Sequence, residues 1–122
     1  MTIQDIMSKE QIPYCVIVNN TLKCKICLGD KNKVFPDDLI RMIENDETLS
    51  NLIQSLEKQM LPAHWGQGKI EMLASVPREK IVVLLFYYAN DDVIFEYRRG
   101  KKIDTDLKGL DYEKIFNKEE IS

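Results

Sequence analysis

The stretch IVVLLFYY, residues 81–88, is the longest unbroken apolar run in the chain. Its residues are mostly β-branched or aromatic, and such side chains favour the extended backbone of a strand. Because the run has no polar alternation, it indicates a strand whose two faces are both covered. We therefore expect residues 81–88 to form a central strand of the fold.

The segments on either side of this run predict two more strands. Residues 69–75, KIEMLAS, lead into it through the turn VPRE at 76–79. On the other side, ANDD at 89–92 is typical of a turn, and in residues 93–98, VIFEYR, Val, Phe and Tyr alternate with Ile, Glu and Arg. Since consecutive strands usually pair, the three segments predict an antiparallel meander.

An earlier pair of segments predicts a hairpin. Residues 14–18, YCVIV, are apolar, and Asn19 and Asn20 follow them. Asparagine tolerates the positive φ that a type I′ turn needs at both central positions. Residues 21–28, TLKCKICL, then alternate with the period of a half-buried strand. The predicted core side of that strand holds Leu22, Cys24, Ile26 and Leu28, and its outer side holds Lys23, Lys25 and Cys27.

The strongest helical signal lies between the hairpin and the meander. In residues 49–60, LSNLIQSLEKQM, apolar residues recur at the spacing of one helix face. Residues 35–43 have weaker helical character, and the pattern leaves open whether 43–49 is continuous helix. Residues 2–10 and 106–120 predict short terminal helices. The apolar positions of the main helix are Leu49, Leu52, Ile53, Leu56 and Met60.

Together these segments predict an α+β fold in the order α-β-β-α-β-β-β-α. We expect a five-stranded antiparallel sheet, one main helix across a face of it, and short terminal helices. A chain of 122 residues is the size of one domain, so residues 1–122 are predicted to be a single domain.

Composition excludes several classes of protein. A net charge of −3 disfavours nucleic-acid binding, for which a basic excess is typical. No apolar run reaches the roughly 18 residues of a membrane span, and the polar N-terminus lacks the pattern of a signal peptide. Three cysteines are an odd number and too few for a disulfide framework. We therefore expect a cytoplasmic protein.

The hairpin VIVNNTLKCKICL, the helix LSNLIQSLEKQM and the strand pair GKIEMLASVPREKIVVLLFYY resemble the roadblock family, which has a profilin-like or longin-like layout. The resemblance covers residues 3–100. It implies a non-catalytic, dimeric interaction module without a cofactor, pairing with itself or with a related roadblock-like chain. Roadblock proteins are scaffolds and regulators for small Ras-like GTPases, dynein complexes or bacterial polarity systems. The segment TIQDIMSKE departs from the pattern, since the first helix of the family is usually longer and more apolar.

The resemblance also implies a dimer or partner surface. In the family the main helix and the adjacent third strand usually form it, joining two sheets into one. Periodicity alone instead favours the same apolar residues as intramolecular core, because the other side of the helix is polar. The residues carried over by the resemblance are Leu49, Leu52, Ile53, Leu56, Ile70 and Met72, with Ala74 beside them.

Two alternatives belong to other classes of protein. A PAS-like ligand-sensing domain also splits two strands and three around helices, but it needs an apolar pocket under them. A secretion-chaperone-like dimer is similarly small and acidic, but it normally has three strands before its middle helix, and this chain has two.

The cysteines and the single histidine raise the question of a metal or redox site. Cys15, Cys24, Cys27 and His64 match the ligand count of a structural zinc site. Cys24 and Cys27, however, have opposite parity along one strand, so their side chains point to opposite faces. A redox dithiol would sit at a helix N-terminus, and this pair does not. We predict no metal, no cofactor and no catalytic residue, with Cys15 and Cys24 buried as small hydrophobic residues.

Basic residues cluster at the end of the predicted last strand and directly after it. With the tyrosines of the sheet they could stack RNA bases, although a solvated turn is the simpler interpretation in an acidic chain. An acidic protein partner is the next use of such a patch. The candidate patch consists of Arg98, Arg99, Lys101 and Lys102.

Overall fold

The structure is a computed structural model. It describes residues 1–21, 24–34, 41, 44–57, 62–67 and 69–121. A short 3-10 turn, Lys31–Lys33, follows the second strand. In chain order the other described elements are α1 (Ile3–Glu10), β1 (Tyr14–Asn19), β2 (Cys24–Gly29), α2 (Asp46–Glu57), β3 (Ala63–Gln67), β4 (Ile70–Arg78), β5 (Ile81–Tyr88), α3 (Val93–Lys108) and α4 (Tyr112–Ile121).

The five strands form one antiparallel sheet in the order β2-β1-β5-β4-β3. The run IVVLLFYY is β5, the central strand, and its residues 82–87 are buried. It pairs with β1 on one side and with β4 on the other. The prediction of an α+β fold with a five-stranded antiparallel sheet is therefore confirmed.

The membership of the sheet differs from the prediction at its last strand. Residues 93–98 begin the helix α3. Asp92 caps this helix, because its Oδ1 accepts hydrogen bonds from the backbone N–H groups of Ile94 at 3.0 Å and Phe95 at 3.1 Å. Gly100, Ile103 and Leu107 recur at helical spacing and are the buried side of the helix. The alternation of Val93, Phe95 and Tyr97 misled the prediction, since all three are exposed.

The fifth strand is instead β3, in a segment predicted to be a loop. Its five residues, AHWGQ, pair with β4, with Trp65 opposite Met72. A strand this short that contains a glycine has almost no sequence signal. The predicted strand 69–75 is β4, which runs on to Arg78 and lies inside the sheet between β3 and β5.

Both faces of the sheet are covered, and each has its own core. The prediction of one main helix across one face is therefore incomplete, because α3 is longer than α2 and belongs to the opposite face. The core on the α2 side includes Val16, Leu49, Ile53, Leu56, Met72, Leu84 and Phe86. The core on the side of α1, α3 and α4 includes Ile3, Ile6, Ile17, Leu73, Leu85, Tyr87, Ile103, Leu107 and Phe116.

The hairpin of β1 and β2 is present, but its turn is wider than predicted. Asn19 pairs with Cys24, so the connection is longer than the two-residue turn expected at Asn19 and Asn20. Cys24 is exposed at the start of an edge strand, so its predicted burial is wrong. Ile26 is buried and Leu28 is half-buried on the predicted core side. Leu22 and Lys23 lie outside the described residues.

The start of the main helix is also resolved in part. Asn45 Oδ1 accepts the backbone N–H of Thr48 at 3.0 Å, which is the bond of an N-cap side chain. The cap is therefore Asn45, and the helix α2 begins at Asp46. Of the weaker helical segment predicted at 35–43, all but Arg41 lies outside the described residues.

Candidate protein-interaction surfaces

The first candidate surface is the outer edge of β3. This strand lies at the end of the sheet, and within the described part of the chain its one paired neighbour is β4. An edge strand presents backbone N–H and C=O groups that can pair with a strand of another chain. Gly66 lies in this edge with room around it, since a Cβ there would meet its nearest atom, the Ile70 carbonyl oxygen, only at 3.9 Å.

Half-buried apolar side chains flank this edge on the α2 side. Trp65 and Ala63 of β3, with Leu52 of α2, pack against the rim of the α2-side core and remain partly exposed. The outward side of α2 next to them is polar, with Ser50, Asn51, Gln54 and Ser55 exposed there. We call β3 and Leu52 the edge surface. Within the described residues it combines the outer edge of a terminal strand with incompletely covered apolar side chains.

The residues predicted for a dimer surface lie near this edge, but most of them are buried in the core and not on the surface. Leu49, Ile53 and Leu56 are buried in the α2-side core. Ile70 and Met72 are buried there as well, on a strand that is paired on both sides. Of the six predicted residues, only Leu52 is half-buried. Sequence reasoning missed β3 itself, and Trp65 was its one usable signal, as an aromatic residue in a supposed loop.

The other face of β3 carries the only histidine of the chain. The His64 Nδ1 lies 2.7 Å from Glu71 Oε1 on β4. Its ring also lies against α3, since a Cβ on Gly100 would come within 3.0 Å of His64 Cε1. Glycine at position 100 therefore lets the helix approach the sheet edge closely.

The side chains of the predicted basic patch do not all point to the same side of the helix. It lies on α3 and not in a turn, and Arg99 points inward with a side chain only 11% exposed. Its guanidinium lies 3.3 Å from Glu96 Oε1 and 4.3 Å from the centre of the Tyr87 ring, and it donates to the Glu10 carbonyl oxygen. Burial raises the pKa of the Tyr87 phenol, and Glu71 and Glu96 add to that effect. Arg99 therefore joins α1, α3 and the sheet.

The other three basic residues lie on the exposed side of α3. Lys101 Nζ stands 4.9 Å from the centre of the Tyr97 ring, and Lys102 Nζ lies 3.9 Å from Glu10 Oε2. Arg98 and Lys101 are three residues apart and so share one side of the helix. The patch that can meet a partner is therefore Arg98, Lys101 and Lys102.

Large apolar side chains are exposed at the start of the same helix. Val93 is 80% exposed, Ile94 65%, Phe95 50% and Tyr97 62%. Tyr88 at the end of β5 is also exposed, and its hydroxyl donates to the Lys33 carbonyl oxygen at 2.6 Å. An open cleft of about 770 Å³ adjoins them, lined by Phe95, Tyr88 and the end of α1. Sequence reasoning missed this surface because it assigned the residues to a strand.

The candidate zinc ligands do not converge. Cys15 is buried on β1, and Cys24 and Cys27 are exposed on β2, opposite Asn19 and Val16 respectively. His64 is on β3, at the far edge of the sheet, with β5 and β4 in between. Within the described ranges no group of three or more His, Cys, Asp or Glu residues is arranged to hold a metal ion. Burial raises the pKa of the Cys15 thiol, so that sulfur is held in its protonated form.

None of the helices that the structure describes has the length and apolar character needed to cross a membrane. The sheet order, with α2 on one face and α1 and α3 on the other, is the roadblock-like variant of the longin-like fold. Among solved structures, MglB of Myxococcus xanthus has this fold, with a TM-score of 0.58 and 10% sequence identity. The likeness covers 93% of this chain and 90% of the MglB chain. No family model matches the sequence, and no curated protein matches it.

Proposed function

We propose that this protein is a dimeric roadblock-type interaction module that regulates or scaffolds a small Ras-like GTPase. It acts by contact, and none of its own residues performs chemistry. Its partners are a second copy of itself, or a related roadblock-like chain, and the GTPase or a scaffold protein in the cytoplasm.

The observation that carries the proposal is the edge surface. Pairing of β3 with β3 of a second copy satisfies the backbone groups of both edges and joins two sheets into one. The same pairing brings two α2 helices alongside each other, so that Leu52, Ala63 and Trp65 lose their remaining exposure. The predicted residues Leu49, Ile53 and Leu56 then act indirectly, by fixing α2 against its own sheet.

The GTPase part of the proposal rests on the fold. Its support is the likeness to MglB over most of both chains, together with the resemblance of the sequence to the roadblock family. The polar outward side of α2, with Asn51, Gln54 and Ser55 exposed, is suited to a reversible contact. Reversible interfaces are no more apolar than the rest of a protein surface.

A substitution at Gly66 tests the edge surface. Gly66→Lys places a charge in the paired edge, while the open space there allows the monomer to fold. Light scattering at tens of micromolar should show association of the natural chain and a smaller mass for Gly66→Lys, which has lost the β3 pairing. Gly66→Ala, the matched control, should keep the mass of the natural chain. A natural chain that is strictly monomeric at these concentrations would overturn the dimer.

Binding to nucleotide-loaded GTPases tests the partner. Ras-like GTPases from the same genome are loaded with GDP or with a non-hydrolysable GTP analogue and titrated with the protein. We expect one of them to bind at least about tenfold more tightly in one nucleotide state, since a regulator must distinguish the two states. Equal affinities for both states across the set would leave a scaffold without GTPase regulation.

A further inference from the structure

Large apolar side chains are exposed close together in sequence at the end of β5 and the start of α3. We call Val93, Ile94, Phe95, Tyr97 and Tyr88 the helix-start patch. The three aromatic and two aliphatic side chains are each at least half-exposed and leave on the order of 100 Å² apiece in water, so together they expose roughly 500 Å². This is as large as the largest apolar patch on an ordinary monomer, and patches of that size usually mark an interaction site.

Charges of opposite sign flank this patch along the helix axis. Asp91 and Asp92 precede its first residue, and both are exposed. Arg98 and Lys101 follow on the side of the helix that carries Ile94 and Tyr97. The order along the surface is therefore acidic, apolar, basic.

A surface with that order is complementary to itself in the antiparallel direction. A twofold axis through the apolar middle, at Ile94, lays the acidic end of one copy against the basic end of the other. Asp91 precedes Ile94 by three residues, just outside the helix N-cap, and Arg98 follows Ile94 by about one helical turn. Both charge pairs and the apolar contact can thus form at once.

We propose that the helix-start patch binds a second copy of this chain, with the two α3 helices antiparallel across a twofold axis at Ile94. This contact is additional to the edge surface. The edge surface lies at β3 and α2, while α3 belongs to the core on the opposite face of the sheet. Both contacts can therefore form at once, and a chain that uses both assembles beyond a dimer.

The charge order also decides between this occupant and an anionic membrane. Insertion of the apolar tip into lipid would bring Asp91 and Asp92 up to negative headgroups, which repel them. In the antiparallel pair the same carboxylates meet arginine and lysine. An unrelated acidic partner would leave the acidic end of the patch without a complement.

Charge exchange tests the pairing, in the Gly66→Lys background so that the edge surface does not contribute. Arg98→Glu places two carboxylates opposite each other, and Asp91→Lys places two cations together. Each single variant should weaken association, measured by sedimentation equilibrium, about tenfold or more. The double variant should restore it to within about threefold, because the pairs re-form with reversed sign. Weakening by both single variants without restoration by the double variant would overturn the antiparallel order.

Cross-linking tests the position of the axis, in a Cys24→Ser/Cys27→Ser background. Ile94→Cys lies on the axis and should form an intermolecular disulfide on mild oxidation. Thr105→Cys is exposed on the same helix but eleven residues away, so its two copies would lie on the order of 30 Å apart and should not link. Equal linking at both positions, or none at position 94, overturns the proposal.

Two further outcomes name other occupants and also overturn it. One is binding to vesicles of phosphatidylserine and phosphatidylcholine that Ile94→Asp abolishes, while the Gly66→Lys chain itself remains monomeric. The other is a monomeric Gly66→Lys chain that binds a GTPase through Ile94. If Gly66→Lys has no effect on the natural assembly but the charge exchange behaves as expected, the edge surface fails and the α3 contact stands.

Discussion

Arg99 shows at the scale of one residue how a charge that appears to be surface can hold elements together. It stands in the run RRGKK, where four of the five residues are basic, yet its side chain is 11% exposed. Glu10 and Glu96, each with a side chain 12% exposed, lie on either side of it. Glu96 has its ion pair with this guanidinium, and Glu10 shares it with Lys102, so the removal of Arg99 leaves nearly buried carboxylates with less compensation.

Truncation of Arg99 should therefore destabilise the protein strongly. We expect Arg99→Ala to lower the free energy of unfolding by about 3 kcal/mol, because the Glu96 carboxylate loses its partner and Glu10 is left with Lys102 at 3.9 Å. The measurement is urea unfolding at sub-micromolar protein, where association does not contribute. The control is Arg98→Ala, at the exposed neighbour, for which a change within about 0.5 kcal/mol is expected. Similar losses for the two variants would contradict the inward role of Arg99.

Gly29, at the end of β2, is a second residue whose surroundings exclude a side chain. Its φ is +90°, and a Cβ there would lie 2.1 Å from the Pro13 carbonyl oxygen. Gly29→Ala should lower the free energy of unfolding by about 2 kcal/mol or more, since backbone must move and the conformation disfavours a side chain. Gly66→Ala provides the contrast, and we expect it to be neutral or slightly stabilising because the space around it is open. A Gly29→Ala protein as stable as the natural chain would refute the close approach.

The sequence predicts the face on which a side chain lies where the alternation along a strand is clear, but it does not predict how deeply that side chain is buried. The alternation of β2 correctly separated the faces of Cys24 and Cys27, and this alone argued against a shared metal. It did not predict that Cys24 is exposed, because depth at an edge depends on what lies beyond the strand. The inward direction of Arg99 was equally inaccessible, since Glu10 is 89 residues away in sequence.

At the scale of elements, the strand β5 and the helix α2 could be predicted because each has a single strong pattern. Eight apolar residues in a row predict a central strand, and the spacing of Leu49, Ile53 and Leu56 predicts an amphipathic helix. The segment after β5 had two patterns at once. Val93, Phe95 and Tyr97 alternate as in a strand, whereas Gly100, Ile103 and Leu107 repeat as in a helix, and only the second set is buried.

The N-cap of α3 favours the helix over the strand in this segment. Asp92 accepts two backbone N–H groups in the first turn. We expect Asp92→Ala to lower the free energy of unfolding by about 1 kcal/mol, the usual cost of a lost cap, measured by thermal or urea unfolding. Asp92→Asn keeps the accepting oxygen and should lose much less. If the asparagine and alanine variants are equally destabilised, the charge and not the hydrogen bonds is the important property.

The edge strand β3 marks the limit of prediction for the candidate site. The resemblance directed attention to the third strand and the main helix, and the edge surface does combine β3 with α2. The third strand was assigned one segment too late, because AHWGQ has neither alternation nor β-branched residues. The predicted residues Ile70 and Met72 consequently belong to the neighbouring interior strand. Pairing to β4 makes this segment a strand, and pairing is a tertiary property.

At the scale of the whole molecule, the sheet has a core on each face, and two parts of the surface are not fully covered by the chain itself. Within the described part of the chain, the edge surface leaves the outer backbone groups of β3 without a paired strand and three apolar side chains half-buried. The helix-start patch leaves apolar side chains on the opposite face, at the start of α3. A chain that assembled through one contact alone would leave the other exposed to water, so the two proposals together account for more of the exposed apolar residues than either does.

Alkaline pH tests the packing of the core on the side of α1, α3 and α4, which contains Cys15, Tyr87 and Tyr112. Burial raises the pKa of the Cys15 thiol above its ordinary 9.0, and likewise raises the pKa values of the Tyr87 and Tyr112 phenols above 10.0. Above about pH 9 the unfolded chain therefore releases protons that the folded chain retains. The stability these groups contribute is complete below about pH 9, and it is lost progressively as pH rises above that value.

We expect the free energy of unfolding in urea to be level near pH 8 and to fall steadily between about pH 9 and pH 11. Tyr112→Phe loses the hydrogen bond that the Tyr112 hydroxyl donates to the Leu107 carbonyl oxygen at 2.6 Å, so it should be less stable than the natural chain at pH 8. It also removes one of the phenols that the unfolded chain ionises. Its deficit should consequently shrink as pH rises beyond about 10, and the two curves should converge. A deficit that stays constant to pH 11, or a natural chain whose stability does not change above pH 9, would mean that these side chains are accessible to water. The core on the side of α1, α3 and α4 would then be looser than the packing described above.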